Sequence, residues 1–130
     1  MSHGNPQSAI DAYRTSSIEN APGIKIVRLL YDGALRFLDR AIACGGDDPH
    51  FGVWVMRADS IVLELRLSLR HEHAPEVMAN LEELYLFCEE RHVIAARDGC
   101  VKSAQESRDV LKTLLEAWQQ IEVEGKGVGA

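Results

Sequence analysis

The chain has 130 residues, 46% hydrophobic and 26% charged, with aromatics at only 6%. That is the composition of an ordinary globular domain large enough to bury a real core. A formal net charge of −6 and no basic run argue against nucleic-acid binding, and no apolar run approaches membrane-spanning length, so no membrane insertion is expected.

Residues 1–21 are polar and rich in Gly, Asn, Pro and Ser. They read as an irregular N-terminal arm, with Ile10, Tyr13 and Ile18 as its apolar points. The first eight residues have neither a basic start nor an apolar stretch, so no signal peptide is expected. Pro22 is well placed to start a helix, because its fixed φ suits the first turn. From Ile24 to about Ala43 the apolar period is helical: Ile24, Val27, Tyr31, Ala34, Leu38 and Ala41 share a face. Gly33 is unusual inside such a helix, where glycine costs about 1 kcal/mol relative to Ala; close packing against a neighbour would explain it. Gly45-Gly46 ends the helix.

Asp48-Pro49 looks like an N-cap followed by Pro at the first helical position. The helix it opens, from Phe51 to about Arg70, carries two apolar stripes where a surface helix needs one. Phe51, Trp54, Val55, Ala58, Ile61, Val62, Leu65 and Leu69 fall in one arc about 120° wide, the normal width of a core-facing side. Met56, Leu63 and Leu67 lie nearly opposite, with Val53 close by. Arg57, Ser60, Glu64 and Ser68 run down one border, and Asp59, Arg66 and Arg70 down the other.

After a short connection from His71 to Ala74, Pro75 begins a third helix that runs to about Arg97. Its main face is Val77, Leu81, Leu84, Tyr85, Cys88, His92 and Ala95. A weaker second stripe repeats at intervals of seven, Ala79, Leu86 and Val93, with Phe87 and Ile94 beside it. Asp98-Gly99 stops this helix. Ser103-Ala104-Gln105-Glu106 has the form of a capping box. The fourth helix then presents Val110, Leu111, Leu114, Leu115, Ala117, Trp118 and Ile121 on one broad face. Residues 124–130 are Gly-rich and read as a disordered tail.

Four amphipathic helices with short connections predict an all-α fold, an antiparallel up-down four-helix bundle over residues 22–123, with the irregular arm before it and the Gly-rich tail behind it. If the second and third helices are neighbours, their outer stripes line a shared apolar groove. Three occupants are open: a heterologous partner, a second copy of the chain in a homodimer, or the chain's own arm. The partner-binding candidates are Ile10, Tyr13, Val53, Met56, Leu63, Leu67, Leu86, Phe87, Val93 and Ile94. Tyr13 stands alone in a polar arm and suits an anchor that a partner displaces.

Little in the chain points to chemistry. Glu89-Glu90-Arg91-His92 contains one Glu-x-x-His, whereas di-iron bundles use two together with further helical Glu residues. His71 and His73 lack a nearby cluster of ligands. No phosphate-binding loop is present. Cys44, Cys88 and Cys100 have no pairing pattern, which suits a reducing compartment, and none stands in a nucleophile motif. No catalytic residue, metal site or cofactor is expected, and the chain does not read as an enzyme.

The order Ala12-Tyr13-Arg14, Asn20-Ala21-Pro22 and Leu29-Leu30-Tyr31-Asp32-Gly33-Ala34-Leu35 resembles the flagellin-specific export chaperone (FliS) family. The likeness continues through Ala58, Ile61 and Glu64-Leu65, through Asn80-Leu81 and Leu84-Tyr85, to Ala117-Trp118. It spans roughly Ile10 to Ile121. Gly23 departs from the family's Ser after the proline. The resemblance implies a cytoplasmic chaperone without enzymatic activity. It would bind the C-terminal segment of flagellin, prevent premature polymerisation and deliver the client to the flagellar type III export apparatus. It also implies an arm, Tyr13 included, that covers part of the client site.

Overall fold

The computed structural model describes residues 23–72 and 75–128, with side chains described up to Gln120 except that of Ile24. Four helices follow in order: α1 (Gly23–Cys44), α2 (Phe51–Leu67), α3 (Pro75–Asp98) and α4 (Val101–Val128). Each of α1 and α3 packs on both α2 and α4. The expected antiparallel up-down four-helix bundle is therefore the fold. Ile10, Tyr13 and the rest of the arm lie outside the described residues, as do His73, Gly129 and Ala130. The backbone of α4 continues as helix to Val128, into the stretch from Glu124 that its glycines assign to a tail.

The core follows the helical period. Val27, Tyr31, Ala34, Leu38 and Ala41 are buried along α1, and Phe51, Val55, Ala58, Val62 and Leu65 along α2. Met78, Leu81, Tyr85, Cys88, His92 and Ala95 are buried along α3, and Ala104, Leu111, Leu114, Leu115 and Trp118 along α4. Burying each large apolar side chain contributes about 1.5–3 kcal/mol. At the centre the hydroxyls of Tyr31 and Tyr85 lie 2.5 Å apart, a hydrogen bond that crosses the bundle diagonally from α1 to α3. Trp118 closes the group, its ring centroid 6.4 Å from that of Tyr31. Two buried hydroxyls thus satisfy each other while their rings fill the core.

Glycine terminates two of the helices. Gly45 has φ 85° and its N–H bonds to Ala41 O at 3.0 Å. Gly99 has φ 63°, and the N–H of Cys100 reaches Ala95 O at 3.1 Å, the six-to-one bond of a Schellman motif. Gly33 does face a close neighbour: a Cβ there would lie 3.3 Å from Ile61 Cδ1 of α2.

Three boundary expectations need correction. α2 begins at Phe51, so Pro49 is not its first helical residue. The cap acts one turn earlier, where Asp48 Oδ1 accepts the N–H of His50 at 2.7 Å and Asp48 O accepts that of Phe51 at 3.0 Å. The bond from the His50 N–H also holds the Asp48 carboxyl below its ordinary pKa. α2 ends at Leu67 rather than Arg70. Ser68 Oγ donates to Leu65 O at 2.7 Å, a local bond that competes with continued helix. Finally, α4 starts at Val101, two residues ahead of the expected capping box. Ser103 is buried inside the first turn and donates to Cys100 Sγ at 3.2 Å instead of capping.

Candidate binding surface

The helices that carry two apolar stripes are less amphipathic than the other two, and they are neighbours. Two polar links tie them together. Arg66 Nε donates to Glu89 Oε2 at 2.6 Å, with a second bond from Nη2 to Oε1 at 3.2 Å. His92 Nδ1 lies 2.8 Å from Asp59 Oδ1. These pairs set the antiparallel register of α2 and α3. They also mark which side of each helix faces the other.

The apolar rows lie just outside that seam. Met56 and Leu63 each stand three residues from Asp59 or Arg66, on the solvent side of the same border, and are 40% and 37% exposed. Leu86 and Val93 stand likewise beside Glu89, at 45% and 53% exposure. Met56 and Leu63 thus border the seam from α2, and Leu86 and Val93 border it from α3. Four exposed apolar side chains, two from each helix, flank a seam of polar pairs. Leu67, at 70%, continues the α2 row on its outermost ridge.

The remaining candidates diverge from this seam. Phe87 is 39% exposed, but the guanidinium of Arg91 lies 5.5 Å from its ring centroid. Arg91 in turn pairs with Glu106 of α4 at 3.5 Å, so Phe87 faces the α4 side of α3. Ile94 is half-buried on that outer side. Val53, 46% exposed, stands one turn before Arg57 and turns towards α1. Two exposed residues escaped the sequence reading: Ile26 and Leu29, both 52% exposed near the start of α1.

The polar seam holds one chemically suggestive arrangement. Asp59, His92 and Ser107 form a chain, with His92 Nε2 at 2.6 Å from Ser107 Oγ. Carboxylate, imidazole and hydroxyl in that order are the parts of a nucleophilic triad. Here His92 and Ser107 are both fully buried, so no substrate reaches the hydroxyl. The chain instead links α2, α3 and α4 through satisfied polar groups. The Glu-x-x-His motif dissolves in the same geometry, since Glu89 turns to Arg66 while His92 turns to Asp59 and Ser107. Among the described residues no group of three His, Cys, Asp or Glu side chains stands together to hold a metal. Burial raises the Cys88 thiol pKa to about 11. No helix among the described residues is long and apolar enough to cross a membrane.

Known proteins carry the same pattern along most of their length. The family described as flagellar protein FliS matches residues 6–125. The flagellar secretion chaperone FliS of Campylobacter jejuni is 34% identical over 116 residues, covering 85% of this chain and 90% of that protein. Its namesake in Salmonella typhimurium is 31% identical over 121 residues, covering 88% and 90%. That of Escherichia coli is 29% identical over 108 residues, covering 81% and 79%. No solved structure matches the chain at a comparable level. With the family match covering nearly the whole bundle, the chain belongs to the FliS family of flagellar secretion chaperones.

Proposed function

We propose that the protein is a cytoplasmic, non-enzymatic export chaperone that binds the C-terminal segment of flagellin. It keeps that segment from polymerising and presents it to the flagellar type III export apparatus. Family membership supports the class of activity. The observation that carries the binding site is the pair of exposed apolar rows beside the α2–α3 seam, Met56 and Leu63 on α2 with Leu86 and Val93 on α3. A client segment that is amphipathic as a helix lays its apolar face into such a groove, reading anchors at intervals of three, four and seven residues. Ordering a disordered client costs conformational entropy, so a long contact is needed, and Leu67 extends the α2 row one turn beyond Leu63. Ile10 and Tyr13 of the arm are proposed to cover part of this surface when no client is bound.

Sedimentation of the protein with and without a flagellin C-terminal peptide tests the reading. The expected result is a one-to-one complex. A stable homodimer that ignores the peptide would overturn it and assign the exposed rows to self-association. Removing the residues before Ile18 is expected to leave the bundle folded and to tighten peptide binding. Unchanged affinity would remove the arm from the site.

A further inference from the structure

The other border of α2 carries a different surface. Phe37 of α1 and Trp54 of α2 stack with centroids 6.0 Å apart and planes 15° from parallel. The Arg40 guanidinium lies 5.1 Å from the Trp54 ring centroid. That of Arg57 lies 5.1 Å from Trp54 and 6.0 Å from Phe37. Arg36 precedes Arg40 by one turn on the exposed side of α1, and all three arginines are exposed. Five other arginines, Arg28, Arg66, Arg91, Arg97 and Arg108, are paired with carboxylates. Among the described residues no carboxylate pairs with Arg36, Arg40 or Arg57. The chain has 20 acidic residues against 14 basic ones, yet these three cations are left uncompensated in one place.

We propose that this patch docks an acidic peptide segment of a partner protein. A guanidinium resting on an aromatic face keeps its N–H edges free for a carboxylate, and its side chain is already ordered, so little further entropy is lost on binding. Charge complementarity selects the occupant. The chain's net charge of −6 repels a long polyanion such as nucleic acid, while an acidic segment that contacts only the patch meets its positive field within a Debye length of about 8 Å. The site stands apart from the proposed client groove: α2 presents Met56 and Leu63 towards α3, and Trp54 and Arg57 towards α1. A client in the groove leaves the patch open to a second protein.

The test titrates the full chain with a capped hexaglutamate peptide and follows the indole N–H of Trp54 by NMR, with the buried Trp118 as internal reference. The expected result is a saturable shift of Trp54 alone, which weakens as salt rises. Arg40→Gln with Arg57→Gln should weaken binding about tenfold, as loss of two charge-assisted contacts requires. Arg36→Gln, which leaves both ring contacts in place, should weaken it about threefold. Arg70→Gln, an exposed arginine outside the patch, and Leu63→Glu in the groove should leave it unchanged. No saturable shift, or an equal loss in Arg70→Gln, would overturn the proposal. Tighter binding of a short DNA duplex than of the peptide would also overturn it, by making the occupant a nucleic acid.

Discussion

Gly46 and Gly99 meet backbone to backbone. A Cβ on Gly46 would collide with the carbonyl oxygen of Gly99, and one on Gly99 would lie 2.7 Å from the carbonyl oxygen of Gly46. The loop after α1 and the loop after α3 are thereby joined at one end of the bundle, with no side chain between them. Neither loop can shift without the other, because backbone atoms have no rotamers to move aside.

Alanine substitutions should therefore rank by mechanism. Gly45 also has a positive φ, but nothing lies within 4 Å of its virtual Cβ, so Gly45→Ala carries only the conformational cost of about 1–2 kcal/mol. Gly46→Ala carries the collision, and Gly99→Ala carries both collision and positive φ. The expected order of stability loss is Gly99 above Gly46 and Gly45, with Gly99→Ala at roughly 2–4 kcal/mol. Urea unfolding checks it, and equal losses at Gly45 and Gly99 would show that the loops separate freely.

The sequence was most legible where one physical rule decided the outcome. The helix ends at Gly45 and Gly99 needed a positive φ. The buried faces of α1 and α4 followed a clean 3.6-residue period. The double stripe of α2 exposed Met56, Leu63 and Leu67 as the pattern requires. It failed where two rules competed. Ser103 has the right neighbours for a cap, but burying it in the first turn of α4 let the helix start earlier. Phe87 and Leu86 are adjacent in sequence, and only the pairing of Arg91 with Glu106 and of Glu89 with Arg66 shows that they face different neighbours. The Arg36, Arg40 and Arg57 patch comes from two helices and forms no run in the chain. The Gly46–Gly99 contact joins residues 53 positions apart and leaves no sequence signal.

The Asp59–His92–Ser107 chain should respond asymmetrically to mutation. Ser107→Ala strands His92 Nε2 in a fully buried setting, which costs about 1–3 kcal/mol. Asp59 has a side chain 19% exposed, so water can replace it in part, and Asp59→Ala should cost less. Replacing both partners of the buried bond, His92→Leu together with Ser107→Ala, should be milder than the sum of the single changes, since the one polar group then left without its partner, Asp59, is reached by water. A double-mutant cycle in denaturant measures the coupling. Strict additivity would mean that the two side chains do not depend on each other.

The three thiols should react in an order that exposure alone does not give. Cys88 is fully buried and its pKa is pushed up to about 11, so the native protein should hide it from a thiol reagent. Cys44 is exposed, but desolvation and the nearby Asp48 carboxylate raise its pKa. Cys100 is less exposed, but the Ser103 hydroxyl and backbone bonds at the start of α4 lower its pKa. The thiolate is the reacting form, so a depressed pKa keeps more of Cys100 reactive at neutral pH and a raised one keeps less of Cys44. The prediction is that Cys100 modifies first near pH 7, that raising the pH narrows the gap, and that Cys88 reacts only on unfolding. Stopped labelling followed by peptide mass analysis reads the order. Cys44 modifying first at neutral pH would show that access outweighs ionisation here.

Charge placed in the groove separates binding from folding. Leu63 is 37% exposed while Leu65, two residues on, is 1% exposed. Leu63→Glu should change stability by no more than about 0.5 kcal/mol, as for a surface site. It should nonetheless weaken binding of a flagellin C-terminal peptide roughly tenfold to a hundredfold, the equivalent of one well-buried apolar anchor. Leu65→Glu puts an unpaired charge in the core and should unfold the bundle. Met56→Glu and Leu86→Glu should behave like Leu63→Glu, because all three are exposed apolar residues beside the same seam. Phe87→Glu faces the α4 side under Arg91, so its loss should be several-fold smaller. Isothermal titration with circular dichroism on each variant decides the path. If Phe87→Glu abolishes binding while Leu63→Glu does not, the client lies along α3 and α4 instead of α2 and α3.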